Sequence, residues 1–89
     1  MNDDPFDGVD LNFPLLCNFR VIAHDHSKTQ GLIEVAMLQL GIVANLQRSN
    51  TSANGKYVTF QFDFMVNNKE EMEKIDTTLR AVEGVRMVL

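Results

Sequence analysis

The residues most capable of chemistry are His24-Asp25-His26, with Lys28 two positions further on. Two imidazoles flanking a carboxylate offer the nitrogen and oxygen ligands that divalent metals take. One reading is therefore a small metal-binding protein or an enzyme using His24, Asp25, His26 and Lys28. The donor count stands against it, because the chain holds two His and one Cys in all. A solvated turn is the preferred reading. Cys17 shares an alternation phase with Phe19 and Val21, which makes it a core thiol rather than a nucleophile beside a base. Arg48, Ser49, Thr51, Ser52, Asn54, Gly55 and Lys56 could hold a small anion; a solvated hairpin loop is preferred. Paired carboxylates, a phosphate-cradling glycine loop and a Ser/His/Asp arrangement of known spacing are not found. The chain reads as a non-enzyme without a cofactor.

The elements that would position these groups are legible from periodicity. Val58, Phe60, Phe62, Phe64 and Val66 alternate with Tyr57, Thr59, Gln61, Asp63 and Met65, so 56–66 is a strand with one buried face. Leu15 to His24 is a second such run, with Cys17, Phe19, Val21 and Ala23 inward and Asn18, Arg20, Ile22 and His24 outward. Ser27 with Gln30 predicts the N-terminus of a helix over about 28–40, stopped by Gly41. Leu32, Ile33, Ala36 and Leu40 would form its core face. Ile42 to Arg48 reads as a strand, joined through Asn54-Gly55 to the long alternating run. Asn68 with Glu71 caps a second helix, whose Met72, Ile75, Leu79 and Val82 form its buried stripe, and Gly84 ends it. Val85 to Leu89 is a last strand. The order β-α-β-β-α-β, with right-handed crossovers, predicts a ferredoxin-like α+β sandwich: a four-stranded antiparallel sheet of order 4-1-3-2 with both helices on one face.

Composition narrows the function class. Eighty-nine residues make one domain, with 45% hydrophobic residues and a formal charge of −4. Asp3, Asp4, Asp7 and Asp10 account for that charge, and residues 1–12 read as a flexible acidic tail before a single domain over 13–89. Acidic and basic residues then balance, without the clustered Lys and Arg of a nucleic-acid or membrane-surface binder. Neither a signal peptide nor an apolar run of membrane-spanning length is present. One cysteine suits a reducing compartment, so a cytoplasmic protein is expected.

Several segments carry a family resemblance. Phe13-Pro14, Phe19-Arg20-Val21-Ile22, the polar loop with Gly55-Lys56-Tyr57 and the terminal Val85-Arg86-Met87-Val88-Leu89 together resemble the YbeD-like family of small uncharacterised bacterial proteins. That family is similar in fold to ACT-type regulatory domains. The resemblance implies a non-enzymatic regulatory or protein-interaction module, linked by association alone to lipoate metabolism.

Two surfaces could serve such a module. On the first helix Val35, Met37 and Leu38 widen the apolar area beyond one core stripe, with Glu34 as its one charge. On the open sheet face Arg20, Thr59, Gln61, Asp63 and Arg86 are the main candidates, beside Ile22, Asn45, Gln47, Met65 and Val88. Asp63 could pair with Arg20 or Arg86. A protein partner or self-association, possible dimerisation included, and a small-molecule effector are expected rather than nucleic acid or a membrane.

Overall fold

A computed structural model of the chain describes residues 12–51 and 54–89. Residues 1–11 of the expected tail, and Ser52 of the expected anion loop, lie outside the described residues. The elements run β1 (Leu15–His24), α1 (Thr29–Gln39), β2 (Gln47–Thr51), β3 (Tyr57–Val66), α2 (Lys69–Arg80) and β4 (Val85–Val88). They form one antiparallel sheet of order β2-β3-β1-β4, the predicted order read from its other edge. Both helices cover one face.

The centre follows from alternation. β1 and β3 pair along their full length from Leu15–Val66 to His24–Tyr57, so Phe19 meets Phe62 and Val21 meets Phe60 on the covered side. Phe19 and Phe62 stack with ring centroids 5.2 Å apart, a geometry that adds to the burial of both rings. Above them lie Ile33 and Met37 of α1 and Met72, Ile75 and Leu79 of α2.

α2 starts as its sequence requires. The Asn68 side chain accepts from the Glu71 N–H at 2.8 Å, and Glu71 reaches back to the Asn67 N–H at 3.2 Å. Asn68→Ala should cost about 1 kcal/mol in urea denaturation. Ser27→Ala should cost under about 0.5 kcal/mol, because α1 begins differently. Lys28 occupies its cap position without a side-chain bond. His26 Nδ1 instead accepts from the Lys28 N–H at 3.1 Å, and buried Thr29 donates its hydroxyl to the His24 carbonyl at 3.0 Å. The expected Ser27 cap is thus replaced by a turn centred on His26.

α1 is also rotated relative to the expected face. Thr29, Ile33, Ala36 and Met37 are buried, while Leu32 turns outward. The helix stop explains this. Gly41, at φ 76°, donates to the Leu38 carbonyl and Ile42 donates to the Met37 carbonyl, at 3.0 and 2.9 Å. That is a Schellman motif, and its hydrophobic partners Met37 and Ile42 enter the core together. Ile42 therefore closes the helix instead of opening a strand. β2 begins five residues later than expected, and Asn45 lies outside it.

α2 ends at Arg80, before the expected Gly84. Turns follow, and Gly84 at φ 90° places its carbonyl 2.9 Å from the His24 N–H. In β4 the register shifts: Ala23 pairs with Val85 and Ile22 with Met87. The bulge at Arg86 puts Val85 and Val88 both on the core side. Val88, expected on the open face, is 3% exposed, and Met87 takes the outward place at 47%.

Candidate functional site

The turn after β1 is held by backbone and ion-pair contacts. Its Asp25 N–H donates to the Lys56 carbonyl at 2.9 Å. Arg48 of β2 reaches back across the sheet end, and its Nη2 lies 3.0 and 3.1 Å from the two Asp25 carboxylate oxygens. The carboxylate that would complete a metal site is thus occupied by a guanidinium, and His26 Nδ1 by a backbone donor. His24 packs its ring against Tyr57, with centroids 5.1 Å apart. The two imidazoles serve different neighbours, one on the sheet and one in the helix turn. Among the described residues, no group of three or more His, Cys, Asp or Glu could hold a metal.

Arg48 is likewise committed to Asp25, and Ser49 donates its hydroxyl to the Thr59 carbonyl at 3.1 Å. Two groups of the expected anion loop are therefore engaged in holding β2 in place. Cys17 is half-buried, its Sγ 3.7 Å from the Leu15 carbonyl. Burial pushes its thiol up from the ordinary value, which keeps it protonated and a poor nucleophile.

A cleft of about 420 Å³ lies where α1 ends and α2 begins, lined by Leu40, Gly41, Phe64, Asn68, Glu71 and Lys74 among others. Asn68 and Glu71 already bond the backbone there, so two of the cleft's polar groups serve the helix cap. Sequence periodicity gave no sign of this cleft, because it forms between elements distant in the chain.

The exposed large hydrophobic side chains fall into two groups. Leu32, Val35 and Leu38 run along the outer face of α1 at spacings of three, and Val43 follows just beyond the helix. Met37, expected beside Val35 and Leu38, is instead 3% exposed and part of the core. The second group is on the open sheet face: Leu16, Met65, Met87 and Leu89. Leu16 stands directly opposite Met65, and Met87 opposite Ile22. Leu89 exchanges both backbone bonds with Arg20, at 3.1 and 2.8 Å.

Between these apolar pairs lies a polar belt. Arg20 faces Gln61, and Asn18 donates Nδ2–H to Asp63 Oδ1 at 2.8 Å. Asp63 thus bonds Asn18, its cross-strand neighbour, in place of the Arg20 or Arg86 expected from sequence. Thr59 and Gln61 are half-buried, whereas Arg20, Asp63 and Arg86 are exposed. The alternation that turns Asn18 and Arg20 outward also turns Leu16 outward, a signal the sequence contained and the expected site residues omitted.

Sheet order, helix placement and an open polar-apolar sheet face define an ACT-like sandwich of the ferredoxin-like class. Solved structures agree on the fold. The solution structure of protein HP0495 from Helicobacter pylori matches with a TM-score of 0.74 and 24% identity, over 100% of this chain and 98% of that one. The ACT domain from the GTP pyrophosphokinase of Chlorobium tepidum matches with a TM-score of 0.63 and 20% identity, over 84% of this chain and 95% of that one. More particularly, the chain belongs to the family described as Protein of unknown function (DUF493), whose model matches residues 10–89. UPF0250 proteins of Shewanella baltica (strain OS155) and Shewanella frigidimarina are 32% and 33% identical over 90 residues, spanning all of both chains. The YbeD-like resemblance and the ferredoxin-like expectation are both met. No helix of the described residues is long and apolar enough to cross a membrane.

Proposed function

We propose that this chain is a non-catalytic regulatory or protein-interaction module of the cytoplasm. The observation that carries the reading is the outer face of α1. Leu32, Val35 and Leu38 stand in solvent there, Leu38 at 69% exposure, on a helix whose one charged residue is Glu34. Contiguous apolar area of this kind is held on soluble domains for contact with other proteins. Fold-level analogy adds modest support, since one structural neighbour is an ACT domain belonging to a GTP pyrophosphokinase. The alternative, metal or acid–base chemistry at His24, Asp25 and His26, draws no support from a carboxylate already bound by Arg48.

The test is capture of partners on immobilised protein, comparing wild type, Leu38→Glu and Leu16→Glu. A protein retained stoichiometrically by wild type and Leu16→Glu, and lost with Leu38→Glu, is the expected result. Because Leu38 is exposed, the circular-dichroism spectrum should not change. Equal retention by Leu38→Glu would remove α1 as the contact.

A further inference from the structure

We infer that the open sheet face is a self-association surface, on which a second copy of this chain stacks face to face about a two-fold axis. The axis crosses β1 and β3 at right angles, between the Asn18–Asp63 row and the Arg20–Gln61 row. This proposal accepts the reading of the chain as a contact module and names one of its partners, but it uses a different surface from α1.

The argument is the order of residues along the face. From one end of β1 to the other the outward rows are Leu16–Met65, Asn18–Asp63, Arg20–Gln61 and Ile22–Thr59. Met87 extends the last row on β4. The two-fold axis superposes the first row on the fourth and the second on the third. Leu16 of each copy then meets Ile22 and Met87 of the other. Arg20 of each copy lies over the other copy's Asn18–Asp63 pair, where the carboxylate oxygen not bound to Asn18 can accept its guanidinium. An isologous interface requires this kind of self-complementarity, since every contact must occur twice with roles exchanged. The alternative axis, parallel to the strands between β1 and β3, brings Leu16 over the other copy's Met65, but it leaves Met87 and Leu89 over the polar residues of β2. It also sets each Arg20 over a Gln61 and each Asp63 over an Asn18, so it joins no opposite charges between the copies.

Size fits a weak, reversible dimer. At about 3.3 Å per residue and about 4.8 Å between strands, β1 and β3, the strands that overlie their counterparts about this axis, present roughly 300 Å² in projection, before side-chain relief is added. Two such faces bury on the order of 800 Å² in total, in the range of transient contacts. Sheets stacked in this way pack about 10 Å apart, within reach of an arginine from one side and an aspartate from the other.

Sedimentation of the full chain at roughly 100 μM, a concentration suited to so small an interface, tests it. Wild type should be largely dimeric. Arg20→Glu and Asp63→Lys each place like charges together twice, and each should weaken self-association at least ~10-fold. Mixed one to one, the two variants should associate again, because both trans contacts then join opposite charges. Charges interacting only within one chain could not be rescued by mixing. Leu16→Glu should also be monomeric, and Leu38→Glu should remain dimeric. Four results would overturn the proposal. They are a monomeric wild type, no recovery on mixing, loss of the dimer with Leu38→Glu but not Leu16→Glu, and a monomer whose Met65 and Met87 methyls are protected from solvent, as residues 1–11 folded over the face would make them. Loss of the α1 partner with an intact dimer, or the reverse, separates failure of this proposal from failure of the previous one.

Discussion

Phe60→Ala is expected to remove most of the domain's stability, leaving a chain that unfolds at low denaturant or is already unfolded without it. Phe60 is 1% exposed and sits on β3 between Val21 of β1 and Arg48 of β2, beneath the helices. Its ring is part of the floor on which Ile33, Ile75 and Leu79 rest. Replacing a buried phenylalanine by alanine typically costs about 3–5 kcal/mol, the lost transfer energy plus the cavity left behind. A domain of this length holds roughly 4–13 kcal/mol in total. Urea denaturation followed by circular dichroism measures the loss directly. A midpoint shift equivalent to less than about 1 kcal/mol would mean that the core is organised around something other than this strand. Arg20→Ala, in the next residue pair of the same ladder but on the exposed face, should change stability by less than about 0.5 kcal/mol.

The strength of that expectation reflects how much of the fold was written locally. β1 begins and ends where alternation placed it, and β3 does so to within one residue. Strict period-two patterning leaves a strand no second register without exposing every phenylalanine. α2 was legible for a related reason: the Asn68 cap, the Glu71 return bond and the Met72-Ile75-Leu79 stripe agree with one another. Sheet order then followed from crossover handedness together with the hairpin that joins β2 to β3.

What sequence did not show lies where two local signals compete. Ile42 to Leu46 is apolar enough for a strand, but Gly41-Ile42 also completes a Schellman motif with Met37, and the helix stop won. The same motif turned Met37 into the core and left Leu32 outside, so the expected contact face of α1 moved by one side chain. The candidate site was less legible, because its contacts join positions far apart in the chain. Asp25 meets Arg48 and Asn18 meets Asp63 only once strand register is set. On the open face alternation along β1 and β3 holds, whereas Val88 is buried and Asn45 lies outside β2, and the most exposed apolar members, Leu16 and Leu89, drew no attention as single residues.

β4 offers the sharpest test of this competition between patterns. Val85-Arg86-Met87-Val88 read as an uninterrupted strand from the Ala23–Val85 pair puts Val88 outward beside Arg20, whereas the bulge at Arg86 puts it inward opposite Val21. The two registers predict opposite outcomes for a pair of substitutions. With the bulge, Val88→Asp buries a carboxylate at a position 3% exposed, with Val21 across the ladder and Leu79 above. Arg80 already donates to the Val88 carbonyl and to Asp76, so it compensates the buried carboxylate only in part, and a cost of about 3 kcal/mol is expected near neutral pH. Met87→Asp, on the outward side, should cost less than about 1 kcal/mol. The pH dependence carries a sign of its own. Burial raises the introduced carboxyl's pKa above its unfolded value of about 3.9, so the folded chain binds the extra proton and stability falls as pH rises. The penalty should shrink as pH falls through the raised folded value and flatten once it passes below the unfolded one. Thermal unfolding of both variants across that range would show a pH-dependent loss for Val88→Asp and close to the wild-type profile for Met87→Asp. The reverse assignment would place Val88 on the open face and erase the bulge, taking Met87 away from the apolar row that self-association requires.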